Sequence, residues 1–241
     1  MGFIAASAFF AVALFASAMA AVTGFGTATV LLPFTTLFVA LEPAIVLVAI
    51  FHFLANASRL WFMRSHVDRR TAAIYGAPSL LAAALGAFLL TMLSGTRPLR
   101  LAFGLFLGAY AVSSLAGRSW RVPTSDKALV VGGILSGFTS GLIGLGGAIR
   151  GAFLIATPLS KEAYIGTSAA IAVAVDTARL SVYLPWGALP RELYWLVPPL
   201  VVCAFAGAWI GRRGLMRLPE ATLQRVVMAA ILIVAIRFLL R

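Results

Sequence analysis

Membrane-length apolar runs recur along the entire chain. Runs of about 18 residues or more are long enough to cross a hydrocarbon core of roughly 30 Å as helices. Of the 241 residues, 62% are hydrophobic and 11% are charged, which leaves too little polar surface for a soluble domain of this length. No polar stretch is long enough for a second domain. The sequence therefore predicts a single all-α transmembrane domain over residues 1–241.

The net charge of +12 does not indicate nucleic acid as a partner. Basic residues cluster in short loops between the apolar runs, and no basic helix face is present to follow phosphates. The single Cys203 excludes an intrachain disulfide and cannot alone form a thiolate metal site, so we interpret it as a small buried hydrophobe. The first twenty residues end in "ASAMA" but lack the basic region of a signal peptide, so we expect them to belong to the mature fold.

An internal repeat relates the two halves of the chain at an offset of 120 positions. The motif "GFGTATVLLPF" begins at Gly24, and "GLGGAIRGAFL" begins at Gly144. At the same offset the matched positions are Gly26 with Gly146, Asn56 with Asp176, Arg59 with Arg179, Leu60 with Leu180, and Pro78 with Pro198. We interpret the chain as a duplicated unit, with repeats over about 1–117 and 124–241.

Each repeat is predicted to hold about four helical segments, of which the first is interrupted by the glycine motif. The first stretch, 3–40, has 38 residues. As one straight helix it would be about 57 Å long, too long for a single crossing. It is therefore either a re-entrant hairpin or two crossings. The predicted segments are 3–40, 42–63, 72–94 and 99–117 in the first repeat and 127–158, 161–185, 191–211 and 220–239 in the second.

Either form of the interrupted stretch gives each repeat an odd number of crossings, and an odd repeat must be inverted relative to its copy. Loop charge favours the same arrangement. With the 64–70 loop in the cytoplasm, inverted repeats also place the basic loops 118–127 and 212–217 inside, as the positive-inside bias requires. Parallel repeats would expose the three arginines of 212–217 outside. We therefore expect inverted repeats with both termini outside.

The glycine motifs predict an anion site. A helix that restarts within the membrane points unpaired N–H groups and its positive dipole end inward, and such breaks are tolerated only where protein or a water-filled cavity satisfies the backbone. The alternative is close helix packing by small residues. Thr139 and Ser140 could add hydroxyl donors. The candidate residues at the two breaks are Thr23, Gly24, Phe25, Gly26 and Thr27, with Gly144, Leu145, Gly146 and Gly147.

Arg59 and Arg179 each interrupt a long apolar run. An arginine within a membrane span normally faces the protein interior or water, and its planar fork suits the oxygens of a sulfonate, sulfite, phosphate or carboxylate. Asp176 lies one helical turn before Arg179 and can pair with it, whereas Asn56 takes that position before Arg59. The alternatives are that the arginines bind substrate, act as gates, or snorkel to the nearby helix ends.

Further polar residues share these segments. Arg150 either strengthens the anion site or answers Asp176, the sole carboxylate well inside a span and thus the one candidate for proton coupling. His52 can titrate near neutral pH, although an isolated histidine on an apolar face is more often a satisfied interior one. Thr167 and Ser168 either line the cavity or hydrogen-bond to their own helix carbonyls.

The motifs resemble the TauE/SafE sulfite exporter family. The resemblance rests on "GFGTATVLLPF", "SGLIGLGGAIRGAFLIATP" and "KEAYIGTSAAIAVAVDTARLSVYLPWGAL", and it covers nearly the whole chain. It implies a multi-pass transporter of the bacterial inner membrane for sulfite, sulfoacetate or related organosulfonates. The first motif departs from the family pattern, with "GTA" where a further glycine is common, which implies a less open half-site in the first repeat. The family is broad and some members are assigned other small organic anions, so the resemblance supports an anion transporter more firmly than sulfite itself.

The sequence thus predicts a secondary anion transporter that works by alternating access. A passive anion channel and a carrier of another small organic or inorganic anion are the alternatives. Too few histidines, cysteines and buried acids are present for an enzyme or a metal-ion carrier, and no GxxxxGK[ST] motif or other cofactor signature is found. The lipid bilayer and a small anion are the expected partners. Small-residue faces such as "LLAAALGAFLL" pack either within one protomer or across a homodimer.

Overall fold

The computed structural model describes residues 3–23, 27–116, 122–212 and 220–240, and the regular secondary structure of these residues is entirely helical. Short 3-10 turns at Arg64–His66 and Arg191–Leu196 join longer elements. The α-helices are α1 (Phe3–Thr23), α2 (Thr27–Thr35), α3 (Leu41–Met63), α4 (Arg69–Leu93), α5 (Arg97–Leu115), α6 (Asp126–Ile143), α7 (Gly147–Ile155), α8 (Lys161–Tyr183), α9 (Val197–Arg212) and α10 (Glu220–Leu240).

Within the described residues, six helical segments are long and apolar enough to cross a membrane, which confirms the predicted all-α multi-pass membrane class. Large apolar side chains such as Leu81, Phe205 and Ile233 are exposed on the outside of the bundle, where lipid tails replace water as the solvent. The six segments are Leu41–His66, Arg69–Leu93, Arg97–Leu115, Asp126–Ile143, Lys161–Tyr183 and Arg191–Gly211.

The first apolar stretch of the second half is split between α6 and α7. Helix α6 ends at Gly144, whose φ of 77° lies in the left-handed region that glycine adopts without strain. Helix α7 then folds back along α6, so that Gly146 lies against Ser136 and Phe153 lies against Gly132. Its 9 residues span only about 13 Å, less than half of a hydrocarbon core. Helix α2 has the same length in the first half.

The central helices α3 and α8 pack against each other and run in opposite directions. Their contacts establish the direction, because His52 meets Asp176 while Met63, farther along α3, meets Gly166 near the start of α8. Helices α5 and α10 are likewise antiparallel. An added Cβ at Gly104 would meet Phe238, whereas one at Gly108, a turn later, would meet Ala235.

Two further helix pairs are parallel, and each pair consists of one helix from the first half of the chain and one from the second. In the α1–α9 pair, the Ser17 hydroxyl donates to the Ala204 carbonyl at 2.8 Å. Nearby, the thiol of the half-buried Cys203 donates to the Phe10 carbonyl at 3.6 Å. The second pair is α4 with α6, which form the most extensive interface between described helices.

Glycines allow α4 and α6 to approach closely. Gly133, Gly137 and Gly141 follow one face of α6 at a spacing of four residues, and a Cβ added at any of them would overlap a backbone carbonyl of α4. On α4, Gly86 lies against the α6 backbone in the same way, and Ala83 and Ala87 are buried in the contact. The small residues of the "LLAAALGAFLL" segment therefore pack within the protomer.

We expect Gly137→Ala to destabilise the fold because its methyl group would overlap the Ser79 carbonyl. Overpacking of this kind costs about 1–3 kcal/mol of unfolding free energy. Gly108→Ala in α5 is the matched control, since the added Cβ would lie 3.8 Å from the Ala235 side chain, an ordinary contact. The measurement is the thermal unfolding midpoint of each variant in detergent. Equal midpoints for the two variants would contradict this close packing.

Asp68 caps α4 and ties it to α8. Its carboxylate accepts a hydrogen bond from the Thr71 N–H at 2.7 Å, and its own N–H donates to the Thr167 hydroxyl oxygen at 2.9 Å. The hydrogen bonds to Thr71 lower the pKa of the Asp68 carboxyl. The cap therefore contributes stability at neutral pH that is lost as the pH falls through the folded-state pKa.

Replacing this carboxylate should remove the cap. We expect Asp68→Ala to lower the unfolding free energy by about 1 kcal/mol, the usual value of an N-cap, and Asp68→Asn, which retains an acceptor, to lower it less. Unfolding midpoints at neutral pH and at pH values below the ordinary aspartate pKa of about 3.9 test both points. The difference between parent and Asp68→Ala should shrink in acid, and a constant difference would show that the carboxylate is not responsible.

Candidate functional site

Asp176 is the centre of a buried ionic network between α3 and α8. One carboxylate oxygen, Oδ2, lies 2.7 Å from His52 Nδ1. The other, Oδ1, accepts from Arg179 Nε at 2.9 Å and from its Nη2 at 2.7 Å. Asp176 and Arg179 are 1% and 2% exposed. The pair predicted from their spacing is thus present, and His52 is a third member that the sequence did not predict.

Arg179 also connects this network to the end of α6. Its Nη1 donates to the Ser140 carbonyl at 3.0 Å, and an added Cβ at Gly144 would lie 3.8 Å from the same nitrogen. The Arg179 side chain is fully buried, and its guanidinium is bound by the Asp176 carboxylate and the Ser140 carbonyl rather than by groups at the helix end. The snorkelling alternative is therefore wrong for Arg179. Its guanidinium is held by protein acceptors, and its counter-charge is already present.

Arg59 occupies a different environment although it matches Arg179 in the repeat. Its Nη1 donates to the Asn56 side-chain oxygen at 3.1 Å, and its Nη2 donates to the hydroxyl of Thr27, the first residue of α2, at 2.9 Å. Its Nε is buried and has no hydrogen-bond partner. Asn56 in turn donates to the His52 carbonyl at 2.7 Å. No described carboxylate forms an ion pair with Arg59.

Arg150, on α7, is 5% exposed and also has no ion-pair partner among the described residues. Its Nε donates to the Ser168 hydroxyl at 3.1 Å. Arg150 forms no ion pair with Asp176, but the two charges interact electrostatically, so both roles predicted for Arg150, strengthening the anion site and answering Asp176, stay predictions. Ser168 serves as an acceptor for Arg150, and Thr167 as an acceptor for Asp68, so their described contacts join separate elements.

Two tyrosine hydroxyls face the same charges and were missed by the sequence analysis. The hydroxyls of Tyr75 and Tyr164 are buried and form no hydrogen bond of ordinary geometry, although the Tyr75 hydroxyl interacts with the Ser136 side chain. Both interact electrostatically with Arg150, and Tyr164 also interacts with Arg59. Tyrosines within apolar runs are frequent enough that only their position in the fold distinguishes them. Together with the free Arg59 Nε, they leave unused hydrogen-bonding capacity beside two arginines.

The glycine break of the second half lies beside this cluster. Gly146 precedes α7 without a side-chain cap, and an added Cβ at Gly147 would have Arg150 Nη2, at 3.8 Å, as its nearest neighbour. Leu145 is fully buried. Thr139 is not a site donor as predicted, because its hydroxyl donates to carbonyls of its own helix. Gly24, Phe25, Gly26 and the side chain of Thr23 lie outside the described residues.

A cavity of about 400 Å³ lies away from this cluster, where residues 36–42 approach the α4–α5 turn and the end of α10. Arg100 and Arg237 line it together with Glu42, which accepts a hydrogen bond from the Gly95 N–H at 2.7 Å. Arg100 Nε is buried and unpartnered. The cavity lies at the end of the bundle opposite the 64–70 loop, since α3 begins here and ends there.

The charge of the buried cluster follows from these contacts. Three arginines, at 59, 150 and 179, share the single carboxylate of Asp176, so with a neutral His52 the cluster carries two uncompensated positive charges. Uncompensated charge within a membrane span is costly, and it marks ion and substrate pathways. Short broken helices around such a cluster define a class of protein, the helical membrane transporters.

A family comparison agrees with this class. The family model for the sulfite exporter TauE/SafE matches residues 9–238, nearly the whole chain, and the chain belongs to this family of membrane transporters, which are not enzymes. No curated protein and no solved structure matches the chain at a significant level.

Proposed function

We propose that the chain is a secondary transporter of small sulfur-containing anions, namely sulfite, sulfoacetate or related organosulfonates. The observation that carries the proposal is the pair of guanidinium groups, Arg59 and Arg150, neither of which forms an ion pair with a described carboxylate. An oxyanion would neutralise them and accept hydrogen bonds from their forked donors. Family membership supports sulfite or a related anion as the substrate.

The proposed site joins both halves of the chain. Arg59, on α3 and hydrogen-bonded to Thr27 of α2, comes from the first half, and Arg150, on α7, from the second. The buried hydroxyls of Tyr75 and Tyr164 would donate to further anion oxygens. The uncapped N–H groups after Gly146 add the positive end of the α7 dipole. Arg179 would position this site through Asp176 rather than contact the substrate itself.

We further propose that the two halves are inverted repeats. An axis in the membrane plane turns each helix over, so repeat-related helices that meet at the axis must be antiparallel, as α3–α8 and α5–α10 are. The same operation exchanges α1 with α6 and α4 with α9, and it therefore relates the parallel pairs α4–α6 and α1–α9. An axis along the membrane normal would instead make α3 and α8 parallel.

This topology gives the proposed transport path two ends. With the basic 64–70 loop in the cytoplasm of a bacterial inner membrane, both termini lie outside. The cavity lined by Arg100 and Arg237 then opens outward and offers an entrance or exit for anions. Rocking of one half against the other about α3 and α8 would open the central site to each side in turn.

Ligand binding is tested with purified protein and an anion panel of sulfite, sulfoacetate, sulfate, acetate and chloride. A ligand at one hundred times its dissociation constant stabilises the folded state by roughly 2.7 kcal/mol, which shifts the thermal midpoint measurably. We expect sulfite or sulfoacetate to shift it and chloride not to. A panel without any shift would contradict the proposed anion site.

Alternating access is tested separately from binding by counterflow in proteoliposomes. Labelled anion should accumulate transiently inside vesicles preloaded with unlabelled anion, because a carrier exchanges the two across one site. A passive channel gives no such overshoot and does not saturate. If an anion shifts the thermal midpoint but counterflow gives no overshoot, the anion site stands and alternating access is rejected.

A further inference from the structure

The contact between His52 and Asp176 is a buried ionic link between the two halves of the chain. His52 belongs to α3 of the first repeat and Asp176 to α8 of the second, and their side chains meet at 2.7 Å where these central helices cross. Only 7% of His52 and 1% of Asp176 are exposed, so the contact is buried in this conformation. Any rocking of one half against the other about these helices must act on this contact.

The link has no counterpart in the repeat. The 120-residue offset relates His52 to Ala172 and Asp176 to Asn56, and neither of these can carry a charge. Packing of α3 on α8 therefore does not require an ionic pair on both sides of the axis. A titratable pair retained on one side alone points to a role beyond packing.

The geometry identifies the atom that can take up a proton. An ionised carboxylate is only an acceptor, so Nδ1 must carry the hydrogen that bonds to Asp176 Oδ2. In this tautomer Nε2 carries no hydrogen, so it is the basic position of the neutral ring. A proton added there makes His52 a cation while leaving its bond to Asp176 in place.

The surrounding charges fix the sign of coupling between this proton and an anion. His52 faces Asp176 and Arg179 from α8 and Arg150 from α7, and Arg59 lies on its own helix one turn beyond Asn56. The guanidinium groups of Arg150 and Arg179 oppose a further positive charge on the ring. An anion that binds Arg59 and Arg150 offsets this opposition, so anion and proton each favour the binding of the other, by the same factor.

We propose that the protein cotransports a proton with its anion, and that His52 Nε2 carries the proton. Proton and anion bind together from one side, the halves rock, and both leave on the other side. The inference rests on the proposed anion transport and adds its coupling ion. Asp176 holds the imidazole in position by accepting from Nδ1, and it remains ionised throughout.

The test measures anion and proton movement in the same proteoliposomes. Vesicles hold a trapped pH-sensitive dye, and valinomycin with equal potassium on both sides clamps the membrane potential. Sulfoacetate is the first probe, because its sulfonate stays ionised and moves no proton by itself, and labelled sulfite at mildly alkaline pH is the second. We expect an inward anion gradient to acidify the lumen in step with labelled uptake.

The His52→Gln variant should separate the two fluxes. Glutamine keeps an N–H donor for Asp176 but cannot titrate, so proton movement should fall at least tenfold while the anion still shifts the thermal midpoint. His66→Gln, which alters the exposed second histidine, should leave both fluxes unchanged.

The outcomes distinguish this inference from the transport proposal itself. Parent protein that moves labelled anion without acidification, or with alkalinisation, overturns proton cotransport, and this result does not depend on any variant. Unchanged proton movement in His52→Gln overturns the assignment to Nε2. Parent protein that moves neither sulfite nor sulfoacetate overturns the proposed function, and the coupling falls with it.

Discussion

Arg59→Gln is expected to weaken anion binding more than any other single substitution of a described side chain. Arg59 has a buried Nε without a partner and forms no ion pair with a described carboxylate, so its hydrogen-bonding capacity is available to a ligand. Hydrogen bonds to a charged group contribute about 1.5–3 kcal/mol, which corresponds to roughly 10- to 100-fold in affinity. The measurement is the dissociation constant of the best anion, obtained from midpoint shifts over a concentration series.

The same substitution should leave the ligand-free protein as stable as the parent or more stable. Removing a buried charge that lacks a counter-charge relieves a desolvation cost and breaks no ion pair. Arg70→Gln is the matched control, because Arg70 pairs with Asp126 on the surface, with 74% of its side chain exposed, and exposed pairs contribute little. Anion affinity that survives Arg59→Gln would remove Arg59 from the site. A large loss of ligand-free stability would make its role structural.

The membrane spans were predictable from the sequence because apolar length determines them. The predicted segments 42–63, 72–94 and 99–117 correspond to helices Leu41–Met63, Arg69–Leu93 and Arg97–Leu115, within three residues at each end. The predicted 191–211 span instead begins with a 3-10 turn at Arg191–Leu196, where Pro198 and Pro199 delay the α-helix. Hydropathy records the distance across the membrane but not the hydrogen-bonding pattern of the first turn.

The site was predictable only where its contacts are local in sequence. Asp176 and Arg179 are one turn apart on a single helix, so spacing alone predicted their pair. His52 reaches the same carboxylate from 124 positions away, and no periodicity encodes that contact. The same limit explains why Tyr75 and Tyr164 were missed. A hydroxyl within an apolar run differs from a packing residue only through its neighbours in three dimensions.

The repeat also predicted too much similarity between the two arginines. Arg59 and Arg179 occupy matched positions, which suggested matched roles, but their neighbours at the preceding turn differ. Asp176 neutralises Arg179, whereas Asn56 can only accept one hydrogen bond from Arg59. The difference between Asn56 and Asp176 therefore places Arg179 in a buried ion pair and leaves Arg59 without a described ion-pair partner. Matched positions in the two repeats do not by themselves predict this difference in role.

Arg179→Met is expected to cause the largest loss of stability among these variants. Methionine fills much of the volume but removes the ion-pair partner of Asp176, which is 1% exposed and keeps only its hydrogen bond with His52. Breaking a buried ion pair by removing one partner costs about 3–5 kcal/mol of unfolding free energy. The measurement is reversible unfolding in mixed micelles, with Arg70→Met as the control for removal of an exposed paired arginine.

The double variant Arg179→Met/Asp176→Leu separates the ionic contribution from packing. If the cost of Arg179→Met arises from the stranded carboxylate, removing that carboxylate as well should restore a large part of the stability, and the two substitutions will be strongly non-additive. Additive losses would instead indicate that the Arg179 stem and its bond to the Ser140 carbonyl carry the effect. The two arginines occupy matched positions but differ in their counter-charges. Substitution of Arg59 should therefore lower anion affinity, whereas substitution of Arg179 should lower stability.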